Sequence, residues 1–182
     1  MIQNKETYKT LNSFAKRVIS RARANLTRGD INVSKELYNS LDYDLKVSKN
    51  SLSLKMIMSE YGAFRDLGVK GKNPSLVKNG VQKAPNSPFK FRDKKPKVDF
   101  IVEWAKARRI RLRDDKGKFA KGSYLTIGFI LQNRIYAQGI KPSLFFTNPY
   151  KSAFKDLPDD LIEAYGLDLR GFLGDTFKGE DI

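Results

Sequence analysis

Two adjacent carboxylate pairs, Asp114-Asp115 and Asp159-Asp160, come nearest to a catalytic grouping in this chain. Metal-dependent hydrolysis of nucleic acid needs carboxylates that converge on an ion from separate elements. Neighbouring aspartates have a simpler use. After Pro158, Asp159 and Asp160 sit where acidic side chains complement a helix dipole, and Asp114-Asp115 falls in a charged turn. The stretch Gly117-Lys118-Phe119-Ala120-Lys121-Gly122-Ser123 has the glycine spacing of a phosphate-binding loop. It lacks the lysine just before the serine that would reach terminal phosphates, and no strand precedes it. The chain has no histidine and no cysteine. That removes imidazole and thiolate metal ligands, disulfides, and the usual serine and cysteine triads. The sequence therefore assigns no catalytic residue, no metal ligand and no cofactor, and it points away from an enzyme.

A basic segment with interleaved aromatics is the stronger candidate. Lys90, Arg92, Lys94, Lys95 and Lys97 alternate with Phe89 and Phe91, and Arg108, Arg109, Arg111 and Arg113 follow. Cationic side chains among aromatics can track a phosphate backbone and stack on bases. The same residues could face a partner protein or water, with Phe89 and Phe91 merely pinning the loop to the core. The charge distribution sharpens the question. Of a net +15 over 182 residues, residues 69–121 hold 17 Lys and Arg against 5 Asp and Glu. Residues 122–182 hold 6 against 8. An excess so concentrated suits a polyanion or an acidic surface.

These residues need elements to position them. A 40% hydrophobic content supports one packed domain. The expectation is a single α+β domain over 1–170, with a basic loop or insertion at about 69–121 and a flexible tail over 171–182. Residues 5–28 read as an amphipathic helix, with Tyr8, Leu11, Ala15, Val18, Ile19, Ala22 and Leu26 recurring at three- and four-residue steps. Leu41, Tyr43, Leu45 and Val47, then Leu52, Leu54, Met56 and Met58, alternate with polar residues about a short turn. That pattern predicts a β-hairpin with one buried face. Residues 69–96 lose periodicity, contain four prolines, and read as a long loop or arm.

A helix restarts at Pro96, its Val98, Ile101, Val102 and Ala105 stripe widened by Phe100 and Trp104. Ser123 caps a further helix through about Gln138, apolar on all sides and so expected to be largely buried. Pro149–Leu157 and Pro158–Tyr165 read as two short helices. The fold class expected is α+β, a small antiparallel sheet with a hairpin packed against several helices. No segment has the length of a membrane span, and the first residues lack the apolar run of a signal peptide. A chain made in a cytoplasm is expected.

The order of segments resembles the head-tail joining, or tail-completion, family of long-tailed bacteriophages. After the hairpin, Tyr61-Gly62-Ala63-Phe64-Arg65-Asp66-Leu67-Gly68 is similar to that family's run of aromatic, small, aromatic, acid and glycine. Gly139 to Phe146, with Pro142, Phe145 and Phe146, then Pro149 and Phe154, looks like its closing element. Trp104 to Phe119 resembles an insertion found in some members. Val33-Ser34-Lys35-Glu36 departs from the family's Asp-Thr-Gly, leaving only Leu37 and Ser40 in place.

The resemblance implies a structural virion protein that completes the tail and forms a ring in the neck. Its partners would be copies of itself, portal or head-closure proteins and tail-tube proteins, with a transient contact to genomic double-stranded DNA and none to membrane. It would be made in the host bacterial cytoplasm and reside in the virion. Tyr61, Gly62, Phe64, Asp66, Gly68, Pro142, Phe145, Phe146 and Pro149 would be its structural motif residues. Residues 69–96 and the tail after Gly171 would order on assembly. The alternative is a non-enzymatic basic nucleic-acid-binding protein.

Overall fold

The computed structural model describes residues 4–29, 35–48, 51–113 and 116–178. The chain is α+β, as its sequence pattern predicts, and its strands form two separate two-stranded sheets among the described residues. It makes two compact units. Residues 1–59 join 145–182 in the first, and residues 60–144 make the second.

In the first unit, α1 (Lys5–Arg28) buries Leu11, Phe14, Ala15, Val18, Ile19, Ala22 and Leu26 along one stripe. Lys9, Lys16, Arg17, Arg21 and Arg28 stay in solvent, and so does Tyr8, which the expected stripe included. A short α2 (Glu36–Ser40) leads into the hairpin of β1 (Asp42–Ser48) and β2 (Ser51–Ile57). Its register pairs Tyr43 with Met56, Leu45 with Leu54 and Val47 with Leu52. Tyr43, Leu45, Leu52, Leu54 and Met56 therefore share one face, as period two requires. Ile57, which breaks the alternation, is exposed.

The hairpin face closes two cores along α1. One gathers Ile19, Ala22, Leu26, Leu37, Leu41 and Phe145 under Tyr43, Met56 and Met58. The other gathers Leu11, Phe14, Val18, Ala153 and Leu157 under Leu45, Leu52 and Leu54. Leu26, Leu41 and Phe145 are fully buried, and each such side chain contributes about 1.5–3 kcal/mol.

Two helices complete this unit, α6 (Thr147–Phe154) and α7 (Leu157–Lys178). The second runs well past Tyr165, so residues 171–178 are helix rather than tail. The reason lies in its inward series. Leu157, Leu161, Ala164, Asp168 and Phe172 recur at three- and four-residue steps and are buried or half-buried. Residues 179–182 of the expected tail lie outside the described residues.

Asp168 ties α7 to α1. Asn4 offers the first turn of α1 no side-chain cap. Instead the Glu6 and Thr7 amides and the Thr7 hydroxyl donate to the Asp168 carboxylate at 2.9, 3.0 and 2.8 Å. Orphan N–H groups at a helix start are thus satisfied from 161 residues away.

The second unit runs α3 (Glu60–Leu67), β3 (Val69–Lys70), a one-turn 3-10 helix at Pro74–Leu76, α4 (Val98–Ala107), α5 (Tyr124–Gln138) and β4 (Gly139–Ile140). Ser123 caps α5 as its sequence predicts, accepting from the Thr126 amide. Gly139, at φ +86°, ends it in the left-handed region that glycine favours. Helices α4 and α5 pack where Gly128 lets Val98 and Val102 approach. A Cβ there would meet the Val102 Cγ2 at 2.5 Å.

Residues 69–96 are a loop held to this unit, not an arm. The Lys70 amide donates to the Phe89 carbonyl and the Phe91 amide to the Lys70 carbonyl. The Lys83 amide donates to the Gln138 carbonyl, and the Gln82 side chain bonds both polar groups of the Gly71 backbone. Backbone hydrogen bonds to α5 and β3 replace the missing periodicity.

Candidate interaction surfaces

The two halves of the motif in Tyr61–Gly68 and Gly139–Pro142 are neighbours in the fold. Strands β3 and β4 pair antiparallel, Val69 with Ile140. The Ser143 amide donates to the Arg65 carbonyl, and the Leu144 amide to that of Asp66. Gly68 has φ +73°, and a Cβ there would lie 2.5 Å from the Ile140 carbonyl oxygen and 2.9 Å from the Pro142 ring. Only glycine fits. Gly62 and Asp66 are buried, whereas Tyr61 and Phe64 are exposed on α3. The ring of Phe64 meets Phe89 edge-on at 4.6 Å.

Phe145, Phe146 and Pro149 belong to the other unit and serve its core. Phe145 is enclosed, and its carbonyl accepts from the Asn25 amide group at 3.2 Å. Phe146, Tyr150 and Phe154 stack in series at 6.0 and 5.7 Å. Pro149 is buried on α6.

The basic residues fall into two places within residues 60–144. Lys90, Arg92, Lys94 and Lys95 are exposed along the loop before α4. Their interleaved aromatics are half-buried and meet other rings. Phe89 is engaged by Phe64, and Phe91 lies 5.9 Å from the Tyr136 ring. Lys95 Nζ donates to Asn133 at 2.8 Å and hangs over the same tyrosine. Phe89 and Phe91 each meet a second ring within this unit.

Arg108 caps the C-terminus of α4 and is half-buried, with Arg109 exposed beside it at φ +51°. Arg111 and Arg113 stand on a ribbon closed by an antiparallel bridge between Arg113 and Phe119. Both guanidiniums lie over the Phe119 ring, at 5.5 and 4.7 Å.

Apolar surface left in solvent is the feature that sequence reasoning missed. The helix α5, read as largely buried, buries only Ile127, Gly128, Ala137 and Gln138. Leu125, Phe129 and Ile130 are exposed. On α4, Phe100 is 67% exposed and Trp104 stands one turn on, so they do not widen the buried stripe. On α7 a second stripe runs beside the buried one. Ile162 (73% exposed), Tyr165 and Leu173 stand in solvent, with the half-buried Leu169 between them at steps of three and four. A helix apolar on more than its inner face asks for a second neighbour. Periodicity flagged the surplus on α5, but nothing in one sequence says whether a surplus is buried within the chain.

Asp159 and Asp160 occupy the first turn of α7, and Asp114-Asp115 lies outside the described residues. Among the described residues no group of three or more His, Cys, Asp or Glu could hold a metal ion. A cleft of about 640 Å³ opens between α1 and the stretch from Tyr38 to Tyr43. Its Arg23 is committed to the Tyr38 and Leu41 carbonyls, at 3.2 and 2.9 Å, and lies over the Tyr38 ring.

Burial of Asp168 raises its carboxyl pKa. The hydrogen bonds from Glu6, Thr7 and Lys5 outweigh this and hold it below the ordinary 3.8. This carboxylate is structural, being wholly engaged by α1. No helix among the described residues is long and apolar enough to cross a membrane. No protein-family model matches this chain, and neither a curated protein sequence nor a solved structure does.

Proposed function

We propose that this chain is a structural virion protein of a long-tailed bacteriophage, one subunit of the neck ring that joins head to tail. The observation that carries the reading is the apolar surface on both units. Phe100, Trp104, Leu125 and Phe129 stand on α4 and α5 of one, and Ile162, Tyr165 and Leu173 on α7 of the other. Surface of this kind marks protein contacts. Two different faces on one chain suit a heterologous contact, which closes into a ring when the rotation between subunits permits.

The order of motifs around Tyr61–Gly68 and Gly139–Pro142 supports the neck over other assemblies. In this reading the neighbours are further copies of the chain, a portal or head-closure protein and a tail-tube protein. The protein resides in the virion after synthesis in the bacterial cytoplasm.

Quantitative mass spectrometry of purified particles tests this. A low, fixed ratio of this chain to the major capsid protein is expected, as one ring per particle requires. Absence from particles would refute it. A competing reading, a non-enzymatic nucleic-acid-binding protein outside any particle, draws on residues 60–144, which hold 20 Lys and Arg against 7 Asp and Glu. It requires binding to nucleic acid by a chain that particles lack.

A further inference from the structure

We propose that the cleft between α1 and residues 38–43 is a docking site for an extended, acidic peptide of a partner protein. Along α1 its lining runs from Lys16 to Arg28, both exposed. Their separation of twelve residues is about 18 Å of helix. An extended chain rises about 3.4 Å per residue, so about five residues reach from one cation to the other. Between them the helix offers Ser20 and Ala24, both small and exposed, which leaves room for a backbone to lie along it. The volume of about 640 Å³ falls among ligand clefts, which hold about 300–1,000 Å³.

The facing wall is preorganised. Tyr38 and Tyr43 line it, half-buried, and pack on the core that includes Ile19 and Leu41. Arg23 reaches across from α1 and lies over the Tyr38 ring at 5.1 Å. Its Nε and Nη2 donate to the Tyr38 and Leu41 carbonyls. The Tyr43 hydroxyl donates to the Asn12 side-chain carbonyl. Tyrosine and arginine are residue types on which binding energy concentrates at interfaces. Side chains already held in place lose little freedom when a ligand arrives.

Charge selects the class of ligand. The lining holds Lys16, Arg23 and Arg28 against one carboxylate, Asp42. The whole of α1 carries seven Lys and Arg against a single Glu. An acidic segment is complementary to that surface. A polynucleotide fits less well, since Asp42 stands in the same cleft and repels a ligand with charge at every step. One Asp42 oxygen accepts from the Tyr43 amide at 2.8 Å, and the carboxylate retains capacity to accept from a peptide N–H. Carboxylates spaced apart on a peptide meet Lys16 and Arg28 and avoid Asp42. The inference adds a partner for the first unit and does not rest on the neck reading.

Fluorescence anisotropy of the full chain with a labelled peptide of about ten residues tests the site. The peptide carries two glutamates about five positions apart, leucine between them, and glycine and serine elsewhere. Its counterpart has glutamine in place of both glutamates. At about 0.05 M salt the glutamate peptide is expected to bind about fivefold tighter, as two exposed ion pairs allow. Lys16→Gln with Arg28→Gln should erase that preference and leave the affinity for the glutamine peptide unchanged. Ala24→Trp fills the cleft from an exposed position and should weaken both peptides by more than about tenfold, with no change in melting.

An equal loss of charge on α6, Lys151→Gln with Lys155→Gln, should keep the preference for glutamate. The proposal is overturned if the two peptides bind alike, if the Lys16 and Arg28 variant still prefers glutamate, or if the α6 variant loses the preference. Unchanged binding by Ala24→Trp overturns it as well, and so does the absence of saturable binding below about 1 mM. Displacement of the peptide by an equal charge of duplex DNA would give the cleft to a polynucleotide instead and overturn it too. Particle composition plays no part in these measurements, so this inference can fail while the neck reading stands, and the reverse.

Discussion

Replacing Asp168 should unfasten the two ends of the first unit. Its carboxylate is 7% exposed and accepts from the Glu6 and Thr7 amides and the Thr7 hydroxyl. Hydrogen bonds to a charged acceptor contribute about 1.5–3 kcal/mol, against about 0.5–1.5 for a neutral one. A partly buried carboxylate at a helix N-terminus adds up to about 2 kcal/mol. These effects share the same atoms and do not add. Asp168→Ala leaves the buried Thr7 hydroxyl and two amides without their acceptor, and should cost about 2–4 kcal/mol. Asp168→Asn keeps one acceptor oxygen and should cost about 1–2 kcal/mol.

Urea unfolding across pH separates charge from shape. The carboxyl pKa is lowered in the folded protein, so its stabilisation is fully present above the ordinary value of 3.8. As pH falls below that, the unfolded chain takes up the proton first, and the stabilisation is lost as pH passes the lower folded value. The gap between the unmodified protein and Asp168→Asn should therefore narrow under acid. An equal gap at neutral and acid pH, or an asparagine variant as stable as the parent at neutral pH, would refute this account.

Four further outcomes are expected. Gly139→Ala places a Cβ 2.1 Å from the Val69 carbonyl oxygen at φ +86°, and thermal melting should show a loss of at least about 2 kcal/mol. Phe89→Ala removes the edge contact with Phe64. Amide exchange should then quicken at Lys70 and Phe91 before it does in α1. Gln138 is buried with its side-chain carbonyl oxygen unpaired, so Gln138→Met should melt no lower than the parent and up to about 1 kcal/mol more stably. Ile162→Glu should reduce self-association in sedimentation runs by more than about tenfold while shifting stability by less than about 0.5 kcal/mol.

The local pattern announced the hairpin because half-burial writes a period of two directly into the residues from Leu41 to Met58. The Ser123 cap was legible for a similar reason, being a local backbone requirement. The loop over residues 69–96 was not, since Lys70, Gln82 and Lys83 are held by backbone groups far along the chain. The cap by Asp168 left no local trace either, for an aspartate in mid-helix ordinarily faces water. On α7 the inward series to Phe172 continues past glycines at 166 and 171 into residues expected to be tail. Of the candidate surfaces, the arginines could be named from sequence. The stacking of Arg111 and Arg113 on Phe119 depends on a bridge that no periodicity foretells.

The cap on α1 also sets an order in time. When α1 leaves the ribosome, its partner carboxylate lies 161 residues further on. At about 5–20 residues per second that is a wait of roughly 8–30 s. For most of it Leu11, Phe14 and Val18 have neither Ala153 nor Leu157 to cover them. Residues 60–144 form a compact unit of their own and can fold meanwhile. The nascent chain thus completes its middle before its beginning, and its first helix is a natural client for whatever shields apolar segments during translation.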